Sequence, residues 1–210
     1  MNAGRRGLGG TLIKVGGSLF DLPDLAARVR LLLGRLDGSR PVLIAGGGAA
    51  ADIVRDWDSL FDLGGSRSHR LAISAMGWNA RLLVEILPEA QLVADSGAIQ
   101  AAWERGRVPV IDPLPLLDAE EAGAAREGAA PLPRLWSATS DSVAAWFASR
   151  LGFSELVLAK SRAPEPPITL ARLAAEGLVD PHLAEIARGI PRVSVADLRG
   201  GDGRRTTVGT

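Results

Sequence analysis

The chain has 210 residues, 47% of them hydrophobic and 23% charged, with 24 basic against 24 acidic side chains and no net charge. That describes one ordinary globular domain, or one with a small lobe, and nothing in it suggests a general polyanion binder. It has no cysteine and two histidines, which excludes disulfides, thiolate metal sites and cysteine nucleophiles and argues against a histidine metal centre. The opening MNAGRRGLGG has no apolar stretch of signal length, and no run is apolar enough to span a membrane. The expected location is cytoplasmic, with no nucleic-acid or membrane partner.

Residues 1–10 are expected to be a flexible N-terminus and 11–210 a single domain. Thr11 to Val15 reads as a strand ended by Gly16-Gly17. A helix follows, capped by Asp21, with Pro23 in its first turn, Leu22, Leu25, Val29, Leu32 and Leu36 on one face, and Asp37-Gly38 as its stop. Pro41 to Ala45 is a second buried strand, followed by Gly46-Gly47-Gly48 and a helix to about Trp57. This β-α-β unit predicts a parallel sheet.

Ser66 to Leu87 predicts a long helix whose stripe is Leu71, Met76, Leu83 and Leu87, with Ile73, Ala80 and Ile86 nearby. Gln91 to Ala94 and Val108 to Ile111 read as strands around a helix from Asp95 to Gly106, capped by Asp95 or Ser96. Residues 118–134 read as a solvated helix or a loop. Thr139 to Leu151 predicts a helix, Glu155 to Ala159 a strand, and residues 163–167 a break. One or two short helices follow between Leu170 and Gly189, then a late strand from Arg192 to Val195 and an edge strand at Thr206 to Val208. The class is α/β, with helices on both sheet faces.

Of the 24 basic residues only Lys14 and Lys160 are lysine. Each ends or interrupts an apolar strand, where a compact ammonium suits phosphoryl oxygens better than a planar guanidinium. Two glycine turns, Gly16-Gly17-Ser18 and Gly46-Gly47-Gly48, follow buried strands. Turns without Cβ atoms let backbone N–H groups approach an anion, and a helix start behind adds positive potential. Either turn alone is explained by tight chain reversal; both together, with a rare lysine, point to phosphate. No GKS or GKT follows a glycine loop, so this is not a P-loop. Gly46-x-Gly48-x-x-Ala51 matches the dinucleotide fingerprint loosely, but Asp62, at the right distance for its acidic residue, falls in a loop. In WSATSDSVAAW, Thr139 or Ser140 can cap a helix and Asp141 falls in its first turn. An isolated aspartate there is most simply a capping acid, yet the polar run suits a site facing the glycine turns.

KVGGS, a strand ending in AGGG, and TSDS opening an alanine-rich helix resemble, in order and spacing, the amino acid kinase superfamily of aspartate, glutamate and uridylate kinases. The likeness covers residues 11–160. It implies a three-layer αβα sandwich with a mainly parallel central sheet, the acceptor on the half at about 11–117 and the nucleotide on a shortened half at about 135–210. It also implies ATP with Mg²⁺ as cofactors, few or no direct protein ligands to the metal, and a homodimer. Carried over, Lys14, Asp141 and Lys160 are catalytic, Asp141 orienting the lysines or assisting the metal. Gly16, Gly17 and Ser18 contact nucleotide phosphates, while Gly46, Gly47, Gly48, Thr139 and Ser140 bind the acceptor. AGGGAAADIVRDWD, SHRLAISAMGWN and LPRLWSATSDSVAAWFASRLG resemble more narrowly the kinases of methanofuran biosynthesis, which convert an aminomethyl-furanmethanol phosphate to its diphosphate. That adds Arg55, His69 and Arg70 as acceptor contacts. The stretch AKSRAPEPP departs from the Thr-Asp or Asp-Gly pair common in the superfamily, and no lysine follows Lys160. Two alternatives therefore stand beside ATP-dependent phosphoryl transfer: a kinase-like binding protein with a degraded nucleotide half, and a dinucleotide-dependent oxidoreductase.

Overall fold

The computed structural model describes residues 7–36 and 38–209. Among these residues seven strands form one sheet: β1 (Thr11–Val15), β2 (Pro41–Ala45), β3 (Ala90–Val93), β4 (Val108–Ile111), β5 (Glu155–Lys160), β6 (Arg192–Asp197) and β7 (Arg205–Thr207). Their spatial order is β3-β4-β2-β1-β5-β6-β7, parallel throughout except for β7, which closes the edge antiparallel to β6. The chain leaves β1 toward β2 on one side and returns to β5 on the other. The carboxyl ends of these strands therefore border the crevice where open α/β sheets bind ligands.

Among the described residues eight α-helices cover the sheet: α1 (Leu25–Gly34), α2 (Gly48–Phe61), α3 (Gly65–Ile86), α4 (Ser96–Glu104), α5 (Pro113–Glu127), α6 (Ser140–Leu151), α7 (Leu170–Ala175) and α8 (Leu183–Ile186). Strand alternation divides the core in two. Leu12, Val42, Ile44, Leu156 and Leu158 face α6 and its neighbours. Ile13, Val15, Leu43, Val157 and Ala159 face α1 and the C-terminal half of α3. Both faces of the central strands are buried, so they read as continuous apolar runs.

Several boundaries differ from expectation. Gly17–Leu19 is a 3₁₀ turn and α1 begins only at Leu25, so neither Asp21 nor Pro23 starts it. Asp21 pairs with Arg199, while Asp24, at the helix start, pairs with Arg28. Of the expected stop, Gly38 has φ +71°; Asp37 lies outside the described residues. Helix α2 runs past Trp57 to Phe61. Leu71 is exposed, and the buried stripe of α3 is Ile73, Met76, Ala80 and Leu83. Pro113, suited to a first helical turn, starts α5 ahead of the alanine-rich stretch, whose Glu120 is buried against Arg150. Leu8, Gly9 and Gly10, assigned to a flexible N-terminus, are tied by backbone hydrogen bonds to residues 151–155; residues 1–6 lie outside the described range.

Candidate active site

By the alternation that separates the two cores, Lys14 of β1 shares a face with Leu12, and Lys160 of β5 shares it with Leu156 and Leu158. That face lies under α6, whose first turn carries Asp141. Lys160 Nζ donates to Asp141 Oδ2 at 2.5 Å, and Lys14 Nζ lies 3.0 Å from Oδ1 as an ion pair without an aligned hydrogen bond. Lys14, Asp141 and Lys160 are 4%, 3% and 8% exposed, so two ammonium groups are held nearly dry against one carboxylate. Burial alone would push the Asp141 carboxyl up; the two ammonium groups outweigh it and hold it below the ordinary aspartate value. Lys160 is lowered to about 8, chiefly by burial and then by the Lys14 ammonium, against the opposing pull of Asp141.

The start of α6 is fixed from outside. Thr139 takes the cap position, and Asp180, itself buried, accepts from Thr139 N (3.0 Å), Thr139 Oγ1 (2.9 Å), Ser142 N (3.0 Å) and Ser142 Oγ (2.5 Å). It also accepts from His182 N at 3.0 Å. A carboxylate at a helix N-terminus satisfies orphan N–H groups and complements the dipole. Asp141 is thereby left free to face the lysines.

The glycine turns are packed backbone to backbone. Gly16 N–H bonds Ala159 O at 2.9 Å and Gly46 N–H bonds Val15 O at 2.8 Å, extending the ladder beyond the strands. A Cβ on Gly17 would lie 2.2 Å from Gly48 N, and one on Gly48, where φ is +51°, 2.4 Å from Gly17 O. Both must be glycine for the turns to meet. Asn79 of α3 donates to Gly46 O (2.7 Å) and Gly47 O (2.8 Å), fixing the second turn where α2 begins with its first N–H groups unpaired within the helix.

A cavity of about 240 Å³ opens at this point. Gly17, Ser18, Gly47, Gly48, Thr139 and Ser140 form its polar side and Ile73, Met76, Trp136 and Val143 are on its apolar side; Asp52, Arg55 and His69 also line it. Lys14, Asp141 and Lys160 lie outside the lining, adjoining it through Ser140 and the first glycine turn. Arg55 pairs with Asp52 and lies 5.2 Å over the Trp136 ring, whose Nε1 donates to Asp58 Oδ2 at 2.6 Å. His69 is buried and its Nε2 has no hydrogen-bond partner. Burial, then the Arg134 guanidinium, lowers its pKa and keeps the ring neutral at physiological pH. Arg70 is not brought to the cavity: it forms a two-pronged pair with Asp118 at 2.6 and 2.8 Å. Asp62 ends α2 in the left-handed region, away from any strand end, so the dinucleotide fingerprint lacks its acidic partner. Among the described residues no group of three or more His, Cys, Asp or Glu side chains could hold a metal ion, and no helix is long and apolar enough to cross a membrane.

Sequence reasoning gives no role to Asp180, Asn79, Asp52 or Trp136. Asp180 acts across 38 to 41 residues of chain, and nothing in VDPHL marks it as a cap for another helix. Asn79 had a usable signal: a polar amide inside an apolar helix stretch, AMGWNARLL, needs a partner when half-buried.

No curated protein matches the sequence. Among solved structures, the fold is similar to uridylate kinase from Archaeoglobus fulgidus (TM-score 0.60, 16% identity, 89% of each chain). It is similar to UMP kinase from Ureaplasma parvum (TM-score 0.59, 13% identity, 89% of this chain and 88% of that one). It is similar also to aspartate kinase from Synechocystis (TM-score 0.62, 16% identity, 95% of this chain but 40% of that one). At these identities the likeness establishes the fold alone. The sequence profile of the amino acid kinase family matches residues 10–162, a span holding both glycine turns, both lysines and Asp141; the chain belongs to the amino acid kinase family.

Proposed function

We propose that the protein transfers the γ-phosphoryl group of ATP to a small phosphate monoester. The observation that carries this reading is two buried ammonium groups, those of Lys14 and Lys160, held on the Asp141 carboxylate beside two glycine turns. That donor set suits a polyphosphate. Gly16, Gly17, Ser18, Lys14 and Lys160 would hold the nucleotide phosphates, and Mg²⁺ carried by ATP would add neutralisation of the phosphoryl oxygens. An oxygen of the acceptor phosphate attacks the γ-phosphorus, the bond to the β–γ bridging oxygen breaks, and ADP and a diphosphate ester result. The lysines neutralise charge spread over the equatorial oxygens.

A phosphate acceptor agrees with the lack of a free carboxylate base in the lysine–aspartate cluster. Asp141 is committed to two ammonium groups, so it is a poor proton acceptor. A phosphate monoester, with its second pKa near ~6, is already deprotonated at neutral pH and needs none. The cavity supports a small acceptor: its 240 Å³ falls below the roughly 300 Å³ at which ordinary ligand pockets begin. In the finer reading the acceptor is [5-(aminomethyl)furan-3-yl]methyl phosphate, in methanofuran-type one-carbon cofactor biosynthesis. Ile73, Met76 and Trp136 would take the flat ring, Arg55 the phosphate and Asp52 the ammonium. Uridylate is the second reading, favoured by the fold neighbours and disfavoured by cavity size. The test is ³¹P NMR of the protein with MgATP and either acceptor. New diphosphate resonances with the furan phosphate support the proposal, and turnover of UMP alone selects the second reading. Acceptor binding without ATP binding would instead establish a ligand-binding protein with a degraded nucleotide half.

A further inference from the structure

A larger cavity lies at the opposite end of the sheet. It measures about 630 Å³, and Thr11, Ser39, Arg40, Ser154, Glu155 and Arg192 border it. Strand register explains the grouping. Arg192 of β6 stands beside Glu155 of β5, Glu155 beside Thr11 of β1, and Thr11 beside Pro41 of β2. This row crosses the amino ends of four parallel strands and spans about 14 Å, at ~4.8 Å per strand. Arg192 stands at one end of the row, and Arg40, the residue before Pro41, at the other. Lys14 lies about 10 Å along β1 from this row and Lys160 about 16 Å along β5, at ~3.3 Å per residue. The cavity is therefore separate from the lysine–aspartate cluster.

We propose that this cavity binds the phosphoryl group of a small molecule. Charge is the first argument. Among the described residues neither arginine forms an ion pair: Arg192 is exposed, and Arg40, also exposed, rests 5.6 Å over the Trp103 ring. Glu155, the acid in the lining, is 6% exposed and already held, by Arg205 Nη1 at 2.7 Å and Ser194 Oγ at 2.8 Å. Two guanidinium groups without counter-ions are left, which match a phosphoryl group carrying roughly −1.5 to −2. Geometry is the second argument. Side chains as long as arginine, set at both ends of the row, can converge on one anion over Thr11 and Glu155, and their planar forks suit phosphoryl oxygens. Ser39 is the third. Its Oγ is buried with no hydrogen-bond partner among the described residues, which leaves a hydroxyl donor for the ligand. The volume falls within the roughly 300–1,000 Å³ of ordinary small-molecule pockets, so there is room for an organic phosphate and not for the inorganic ion alone.

The test is equilibrium dialysis of the full chain against ³²P-labelled pyrophosphate without Mg²⁺. The first sample carries Lys14→Ala, which weakens the catalytic site. The second adds Arg40→Met and Arg192→Met, which keep the aliphatic stems of two exposed side chains and remove their charge. Saturable binding to the first is expected. In the second, with an unchanged circular dichroism spectrum, affinity should fall at least about 100-fold, because a charge-assisted donor is lost with each arginine. No saturable binding to the Lys14→Ala chain would overturn the proposal, as would equal affinity in the two samples. Displacement of pyrophosphate by succinate at lower concentration than by glycerol 3-phosphate would assign the cavity to carboxylates and likewise overturn it. None of these outcomes bears on phosphoryl transfer, which the ³¹P experiment reads separately.

Discussion

Asp141→Asn removes the carboxylate between two buried ammonium groups and changes almost nothing in shape. Lys14 and Lys160 then face each other across a neutral amide, and breaking a buried ion pair by removing one partner costs about 3–5 kcal/mol. At roughly 2–4 °C per kcal/mol for a chain this size, the melting temperature should fall by about 10 °C. The effect should depend on pH. The Lys160 pKa in the folded state is about 8 against 10.5 for an unperturbed lysine. Between those values the unfolded chain binds more protons, so wild-type stability rises with pH across that window. Without Asp141 the folded pKa drops further, Lys160 sheds its proton earlier, and the loss seen near pH 7 should shrink at about pH 9.5. Adding Lys160→Met to Asp141→Asn should recover part of the lost stability while leaving the protein inactive. Urea unfolding followed by tryptophan fluorescence, with unchanged m-values, is the assay. An Asp141→Asn midpoint indistinguishable from wild type at neutral pH would refute the reading of a dry, charge-coupled triad.

Turnover of the free enzyme should fall as pH rises through about 8, where Lys160 loses the charge it presents to phosphate, and Lys160→Met should remove that limb from the kcat/KM profile. Asp180→Ala should lower stability by about 3 kcal/mol, since it strips partners from the start of α6, and should lower kcat more than it raises the ATP KM. Gly17→Ala should damage both turns, because its Cβ meets the Gly48 backbone at 2.2 Å with no flexible side chain to yield; a variant with wild-type ATP affinity would contradict this.

Much of the scaffold was legible because the central strands are buried on both faces. TLIKV, PVLIA and ELVLAK are largely apolar runs, and glycine or proline brackets the first two. Lys14 and Lys160 stood out for the same reason: a charge inside such a run has to be used. Their convergence on Asp141 needed only strand alternation and one capped helix. Less legible were features decided by distant chain. Asp180 caps α6 across a long separation; Arg70 turns to Asp118 instead of the cavity because α5 begins at Pro113, earlier than its composition suggests. Ile53, Trp57, Leu60 and Phe61 of α2 are apolar yet lie at the surface, since an apolar residue type does not say what covers it.

Calorimetric titration with MgATP, wild type beside Lys14→Ala, tests the central claim most directly. The account predicts saturable binding to the wild type and affinity at least about tenfold weaker in the variant, with the fold intact. A folded wild type that binds no MgATP, with or without the acceptor present, would contradict it.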